Sequence, residues 1–407
     1  MAGLDDYLPI AGRDSVEEIR LLGERLAGTA VLNVNSTAVG GGVAEILNRL
    51  VPLMNELGLK ARWDVIKGGE AFYAATKKFH NALHGRPTDV SPRDYEVYEK
   101  TQAENLAVMD LSSDFVFIHD PQPAGLVRAR RPGTNHWIWR CHIDLSHPDR
   151  ALWDYLQAHV RKYDACVFSA PMFAQELPIL QALIPPSIDP LSDKNREMTP
   201  EEIDSVLARL RIPRDKPLVT QVSRFDRLKD PLGVIDAFRK AKTYCDSRLL
   251  LVGGTADDDP EGNQVLAEVL SKAGKDPDIM VLNLPPTSHI EINAIQRAST
   301  VILQKSIREG FGLTVAEALW KGKPVIGGAV GGIPMQITHK YSGILTRSID
   351  GTAYWLKQLL NEPAFARRLG ESGREHVKQN FLITRQLRDN LLLILAAQHP
   401  GSDMIRL

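Results

Sequence analysis

Short runs of β-branched and aliphatic residues recur along the chain. In the first half these are TAVLNVNS, FVFIHD, HWIWRCHI and ACVFSA; in the second they are PLVTQVS, RLLLVGG, IMVLNL, TVILQKS and KPVIGG. The apolar positions in them are continuous rather than alternating, which predicts strands buried on both faces. Between them lie segments such as ALWDYLQAHVRKY, PLGVIDAFRKA and HIEINAIQRA, where apolar residues return every three or four positions. That period predicts helices with one buried face. Strands of the first kind alternating with helices of the second predict an α/β protein with parallel sheets.

The pattern breaks at LIPPSIDPLSDKNREMTPEE (Leu183–Glu202), which carries four prolines and few apolar residues. Proline fixes its own φ and disfavours helix in the residue before it, so an extended linker is expected there. A chain of 407 residues exceeds what one core usually serves. The break divides it into residues 1–187 and 188–384, each with its own strand–helix alternation. The tail PAFARRLGESGREHVKQNFLITRQLRDNLLLILAAQ reads as two more helices, with residues 385–407 packing back on the first domain. Two doubly wound domains facing each other would leave a cleft lined by the carboxyl ends of their strands, where such folds bind ligands.

Composition narrows the class. Hydrophobic residues make up 43% and charged residues 24%, with a net charge of -1. This excludes a broad polyanion-binding surface and leaves room for a local basic pocket. Cys141, Cys166 and Cys245 are far apart and form no CxxC pair, which fits a reducing compartment. The first residues are acidic where a signal peptide would be basic, and the longest apolar run, LLLILAA, is too short to span a bilayer. A cytoplasmic enzyme is expected.

Several strand ends carry candidate chemistry. Gly40, Gly41 and Gly42 sit between a strand and a helix. They fit either a tight turn or a backbone that approaches a phosphate at the helix start. FVFIHDPQP ends on His119 and Asp120, and HWIWRCHIDLSHPD carries His142, Asp144, His147 and Asp149. These spacings match no compact zinc pattern. TQVSRFDRLKDP brings Arg224 and Lys229 to one strand end, where a fork and a point charge would grip a diphosphate. Asp257, Asp258 and Asp259 form an acidic loop, either solvated or cation-binding. Glu309 and Glu317 flank the corner Gly310-Phe311-Gly312-Leu313-Thr314 at a helix start, whose free N–H groups suit a phosphate. Each carboxylate can accept from sugar hydroxyls. Together these groups suggest a nucleotide diphosphate carrying a sugar.

The spacing Glu309-GFGLTVA-Glu317, followed by KGKPVIGGAVGGIP, resembles the retaining GT-B glycosyltransferases of the sucrose-synthase and glycogen-synthase kind. SRFDRLKDP, the linker and GESGREHVKQNF share the likeness. FVFIHDPQP and WRCHIDLSHPD are similar more narrowly to the trehalose glycosyltransferring synthases. The resemblance implies a GT-B fold, a nucleotide-diphosphate glucose donor and a glucose acceptor. It places Arg224 and Lys229 on the diphosphate, Glu317 on the ribose and Glu309 on the transferred glucose. The backbone of Gly310, Phe311, Gly312, Leu313 and Thr314 would lie near the sugar and phosphates, with Gly41 and Gly42 beneath the diphosphate. His142 would contact the donor glucose and Asp120 the acceptor side. The family often has a glutamate where this chain has Met335.

Retention by double displacement needs a carboxylate nucleophile opposite the leaving group, and the matching motifs supply none. A front-side reaction without metal or other cofactor is therefore expected. No nucleic acid or membrane partner is expected, and a homodimer and the choice of ADP-, UDP- or GDP-glucose stay open. A dinucleotide oxidoreductase would need GxGxxG after a strand, which is absent. A phosphorylase on the same fold, a sucrose-type synthase and a non-catalytic nucleotide-sugar sensor remain as alternatives.

Overall fold

In the computed structural model, residues 2–39, 41–254 and 260–399 are described. Gly40 and the acidic loop Asp257–Asp259 lie outside them. The chain forms two compact units, Met1–Ser187 with Ile383–Leu407, and Ile188–Leu382.

The first unit holds six strands: β1 (Ala30–Asn35), β2 (Lys60–Val65), β3 (Phe115–His119), β4 (His136–Arg140), β5 (Ala165–Phe168) and β6 (Leu180–Leu183). They lie in the order β2-β1-β3-β4-β5-β6, and every pairing is parallel. The second unit holds β7 (Leu218–Val222), β8 (Arg248–Gly253), β9 (Ile279–Asn283), β10 (Val301–Gln304), β11 (Val325–Gly328) and β12 (Ile344–Thr346). Their order is β12-β11-β10-β7-β8-β9, again all parallel. Strands β3, β5, β7, β8, β10 and β11 are buried along their whole length. This is why their sequences run apolar without alternation.

Strand order reverses between β1 and β3 in the first unit and between β7 and β10 in the second. At such a switch point the helices after neighbouring strands leave on opposite faces and open a crevice at the carboxyl ends. The loops after β1 and β3 carry Gly41, Gly42 and Asp120. Those after β7 and β10 carry Arg224, Lys229 and Glu309.

The proline-rich segment differs in part from the expected linker. Leu183 still belongs to β6, and Ile188 bridges to Leu382. Beyond it the segment folds onto the second unit. Asn293 Nδ2 donates to the carbonyls of Asp193 and Arg196, and Lys321 Nζ to Asn195 Oδ1. Thr199 then caps the helix Pro200–Arg209 in a box closed by Glu202. Polar side chains satisfying backbone groups, which apolar periodicity does not register, hold this stretch down. The last two helices fall in different units: Pro363–Asn380 in the second and Ile383–Gln398 in the first. The latter lies against the helices Arg13–Arg25 and Gly42–Glu56.

Candidate active site

In the second unit β7 runs into a short 3-10 turn, Arg227–Lys229, that Asp226 caps by accepting from the Leu228 N–H. Asp230, with φ 49°, caps the following helix at Gly233, and Lys305 pairs with its other carboxylate oxygen. The loop after β10 docks on this turn, because the Ile307 N–H donates to the Leu228 carbonyl at 2.7 Å. Docking brings Lys229 to Glu309. Its Nζ lies 2.7 Å from both carboxylate oxygens. Ser306 Oγ donates to Glu309 Oε2 at 3.0 Å, and Gln304 Nε2 lies 3.4 Å from the same atom. Thr314 Oγ1 donates to Gln304 Oε1, which ties the helix start into the same network.

Gly312, with φ 83°, caps the helix Leu313–Trp320. The later glycines serve the same corner. A Cβ on Gly331 would stand 1.6 Å from the Glu309 carbonyl, and one on Gly328 would stand 2.4 Å from the Ser306 carbonyl. The loop bearing Glu309 therefore lies directly on the Gly-Gly pairs. Phe311 is a core side chain packed edge-on against Phe381 at 5.3 Å, so only its backbone is available to a ligand. Met335 follows the last Gly-Gly pair, in the short helix Ile333–Gln336. Its neighbour Gln336 donates to the Phe311 carbonyl at 2.5 Å and supports the corner from that side.

The other two donor-side candidates stand apart from this network. Arg224 is more than half exposed, 3.6 Å from Asp226. Glu317 is 1% exposed; its Oε1 lies 3.0 Å from Lys194 Nζ, while Oε2 is buried with no partner among the described residues. Lys194 comes from the proline-rich segment, where periodicity gave no hint of a site.

In the first unit Gly41, with φ 87°, caps the helix starting at Gly42. A Cβ there would meet no described atom within 4 Å. Asp120 also has positive φ, 66°. Its backbone is held by its N–H to the Arg140 carbonyl and its carbonyl to Trp139 Nε1. Its Oδ1 accepts the His142 N–H at 2.7 Å. Burial pushes the Asp120 carboxyl up to about 7, against the pull of that N–H and of Arg140. His142 Nε2 lies 3.1 Å from His119 Nδ1, and His119 Nε2 lies 3.0 Å from Asn33 Oδ1. Burial, aided by Arg140, pushes His119 down to about 3 and His142 well below its usual range. Both rings are neutral at pH 7. Asn33 and Arg140 escaped the sequence reading because strands β1 and β4 are not neighbours in the chain. Asp144 and Asp149 are structural: Asp144 accepts from Ser146, and Asp149 caps the helix Arg150–Val160. Among the described residues no group of three or more His, Cys, Asp or Glu is placed to hold a metal ion. No described helix is long and apolar enough to cross a membrane.

Residues 33–175 match the family described as trehalose synthase, N-terminal domain, and residues 203–376 match glycosyl transferases group 1. A trehalose synthase from Pyrococcus horikoshii is 47% identical over 390 residues, covering 94% of each chain. The chain belongs to the trehalose synthase family of glycosyltransferases. A trehalose phosphorylase from Pleurotus pulmonarius is 30% identical, and this chain spans 54% of that longer protein. Among solved structures, an α,α-trehalose 6-phosphate synthase from Burkholderia multivorans superposes with a TM-score of 0.74 at 17% identity. The match covers 91% of this chain and 100% of that one, which shows the GT-B fold of two Rossmann-like domains.

Proposed function

We propose that this glycosyltransferase moves glucose from a nucleotide-diphosphate glucose to free glucose, forming α,α-1,1-linked trehalose with retention. The observation that carries this reading is the Lys229–Glu309 pair. It lies at the β7/β10 switch point, in a chain 47% identical to a trehalose synthase. Lys229 and Arg224 take the diphosphate and offset the charge that grows on it as it leaves. The backbone from Gly310 to Thr314 presents the helix N-terminus to the phosphates, and Gly41 and Gly42 do so from the first unit. Glu317 takes the ribose, whose hydroxyl would satisfy the unpartnered Oε2.

A double displacement is disfavoured by what surrounds the two carboxylates. Glu309 already accepts from Lys229 and Ser306, which suits a hydrogen-bond anchor for glucose hydroxyls rather than a nucleophile. Asp120 already accepts the His142 N–H through Oδ1 and, pushed up to about 7, is partly protonated near neutral pH, which makes it a ready partner for an acceptor hydroxyl. Neutral His142 contacts the donor glucose. In the front-side reaction the bond between C1 and the phosphate oxygen breaks and an oxocarbenium-like sugar forms. The acceptor oxygen then bonds C1 on the same face, and its proton passes to the departing phosphate oxygen. The protein supplies position and charge, with no metal or other cofactor.

The likeness to trehalose phosphorylase favours one second reading, with glucose 1-phosphate as the donor. Nucleotide release separates them. Incubation with a nucleotide-diphosphate glucose and glucose should release the nucleoside diphosphate without inorganic phosphate. Turnover only of trehalose with phosphate would establish the second reading instead.

A further inference from the structure

A small cavity of about 10 Å³ lies in the first unit, between the sheet and the helix Gly42–Glu56. That is room for one water-sized occupant. Apolar side chains of this helix, Met54 among them, form much of its wall. Phe117 and Val167 on the sheet add apolar surface, and the polar part is Asn33 on β1, His119 at the end of β3, Arg140 and His142 at the end of β4, and two amides of the last helix, Gln386 and Asn390. No carboxylate lines it.

Two lining side chains carry a buried nitrogen with no partner among the described residues. Arg140 is 4% exposed and its Nη2 is unpaired; Asn33 is 2% exposed and its Nδ2 is unpaired. The Arg140 guanidinium does donate through Nη1 to the Phe168 carbonyl, at a long 3.5 Å. With Asn33 Oδ1 accepting from His119 Nε2, the ring's Nδ1 accepts from His142 Nε2. That arrangement consumes the histidine pair's facing nitrogens and leaves the Asn33 donor over. An unmet buried donor is costly, and a buried cation without a counter-charge is costlier still. Two such donors from different strands, one cationic, share one cavity.

We infer that this cavity binds a single small monovalent anion of the halide class, held by Arg140 Nη2 and Asn33 Nδ2. Water matches the site less well. A water accepting from both donors must place its own two hydrogens, and the charge on Arg140 stays uncompensated. Asp120, the carboxyl whose charge acts on Arg140, lies outside the lining, and burial favours its neutral form. Met54 is unbranched and adaptable, so the wall can yield to an ion larger than water. The anion would sit behind His142, on the far side of the residue proposed to meet the sugar.

The test is a crystal of the full chain grown in sodium bromide, with diffraction collected at the bromine edge. An anomalous peak within hydrogen-bonding distance of Arg140 Nη2 and Asn33 Nδ2 is expected. Density for a water with no anomalous peak overturns the proposal. In solution, chloride replacing gluconate at constant ionic strength should raise the melting temperature by about 2–4 °C. Asn33→Leu or Arg140→Met should abolish that rise. A wild-type melting temperature that follows ionic strength alone overturns the proposal as well. Both wild-type measurements stand even where a variant does not fold.

Discussion

Lys229 and Arg224 were read together as diphosphate ligands, yet they sit in different physical situations. Lys229 is largely buried against Glu309, whereas Arg224 is 57% exposed with one distant carboxylate. Arg224→Ala should lower turnover roughly 10²-fold, as for loss of one preorganised contact, with the melting temperature unchanged. Lys229→Ala should lower turnover at least as far and also cost about 3–5 kcal/mol of stability, because it strands the buried Glu309 carboxylate. Steady-state rates with parallel thermal unfolding check both. Near-normal turnover in both variants would sink the diphosphate assignment. Asp120 makes a pH prediction. Its folded-state carboxyl sits near 7, above the unfolded 3.8, so the folded state holds a proton the unfolded state has lost. This group's contribution therefore weakens stability as pH rises from about 4 through about 7. Asp120→Asn removes the effect. Its melting temperature relative to wild type should climb between about pH 5 and about pH 8, as unfolding at the two pH values would show.

At the scale of elements, the glycine pairs after β11 have a packing role. The Glu309 loop rests on them, so side chains there displace it. Gly331→Ala should cost about 3 kcal/mol or more, since its Cβ would overlap the Glu309 carbonyl. Gly41→Ala, at a φ of 87° with open space beside it, should cost about 1 kcal/mol. Denaturant unfolding distinguishes them; equal costs would contradict the packing account. Nine strands were legible from continuous apolar runs; in eight of them burial on both faces leaves that signal, while the edge strand β9 reads apolar although only Ile279 in it is buried. β2, β6 and β12 were not. β2 is a partly buried edge strand, β6 exposes Leu180 and Leu183, and β12 has three residues. The pairing of Lys229 with Glu309 was not legible either, although both residues were. It depends on the backbone bond from Ile307 to Leu228, which no side-chain pattern encodes. Lys194, Asn33 and Arg140 reach their places through long-range folding and left no local mark.

For the whole molecule, each unit places its candidate residues at the carboxyl ends of its own parallel strands, most of them at the switch point, and the fold was readable from periodicity because parallel sheets demand it. The chemistry proposed for them rests on charge and position rather than on a bound ion. Turnover should therefore be unchanged after treatment with EDTA, and recovery of lost activity by Mg²⁺ would contradict the metal-free reading. The most direct test of the central claim is NMR of the product formed from a nucleotide-diphosphate glucose and free glucose. A single anomeric signal from a symmetric α,α-linked disaccharide is expected. Two anomeric signals, a β-linked product or no disaccharide from any nucleotide-glucose would contradict it.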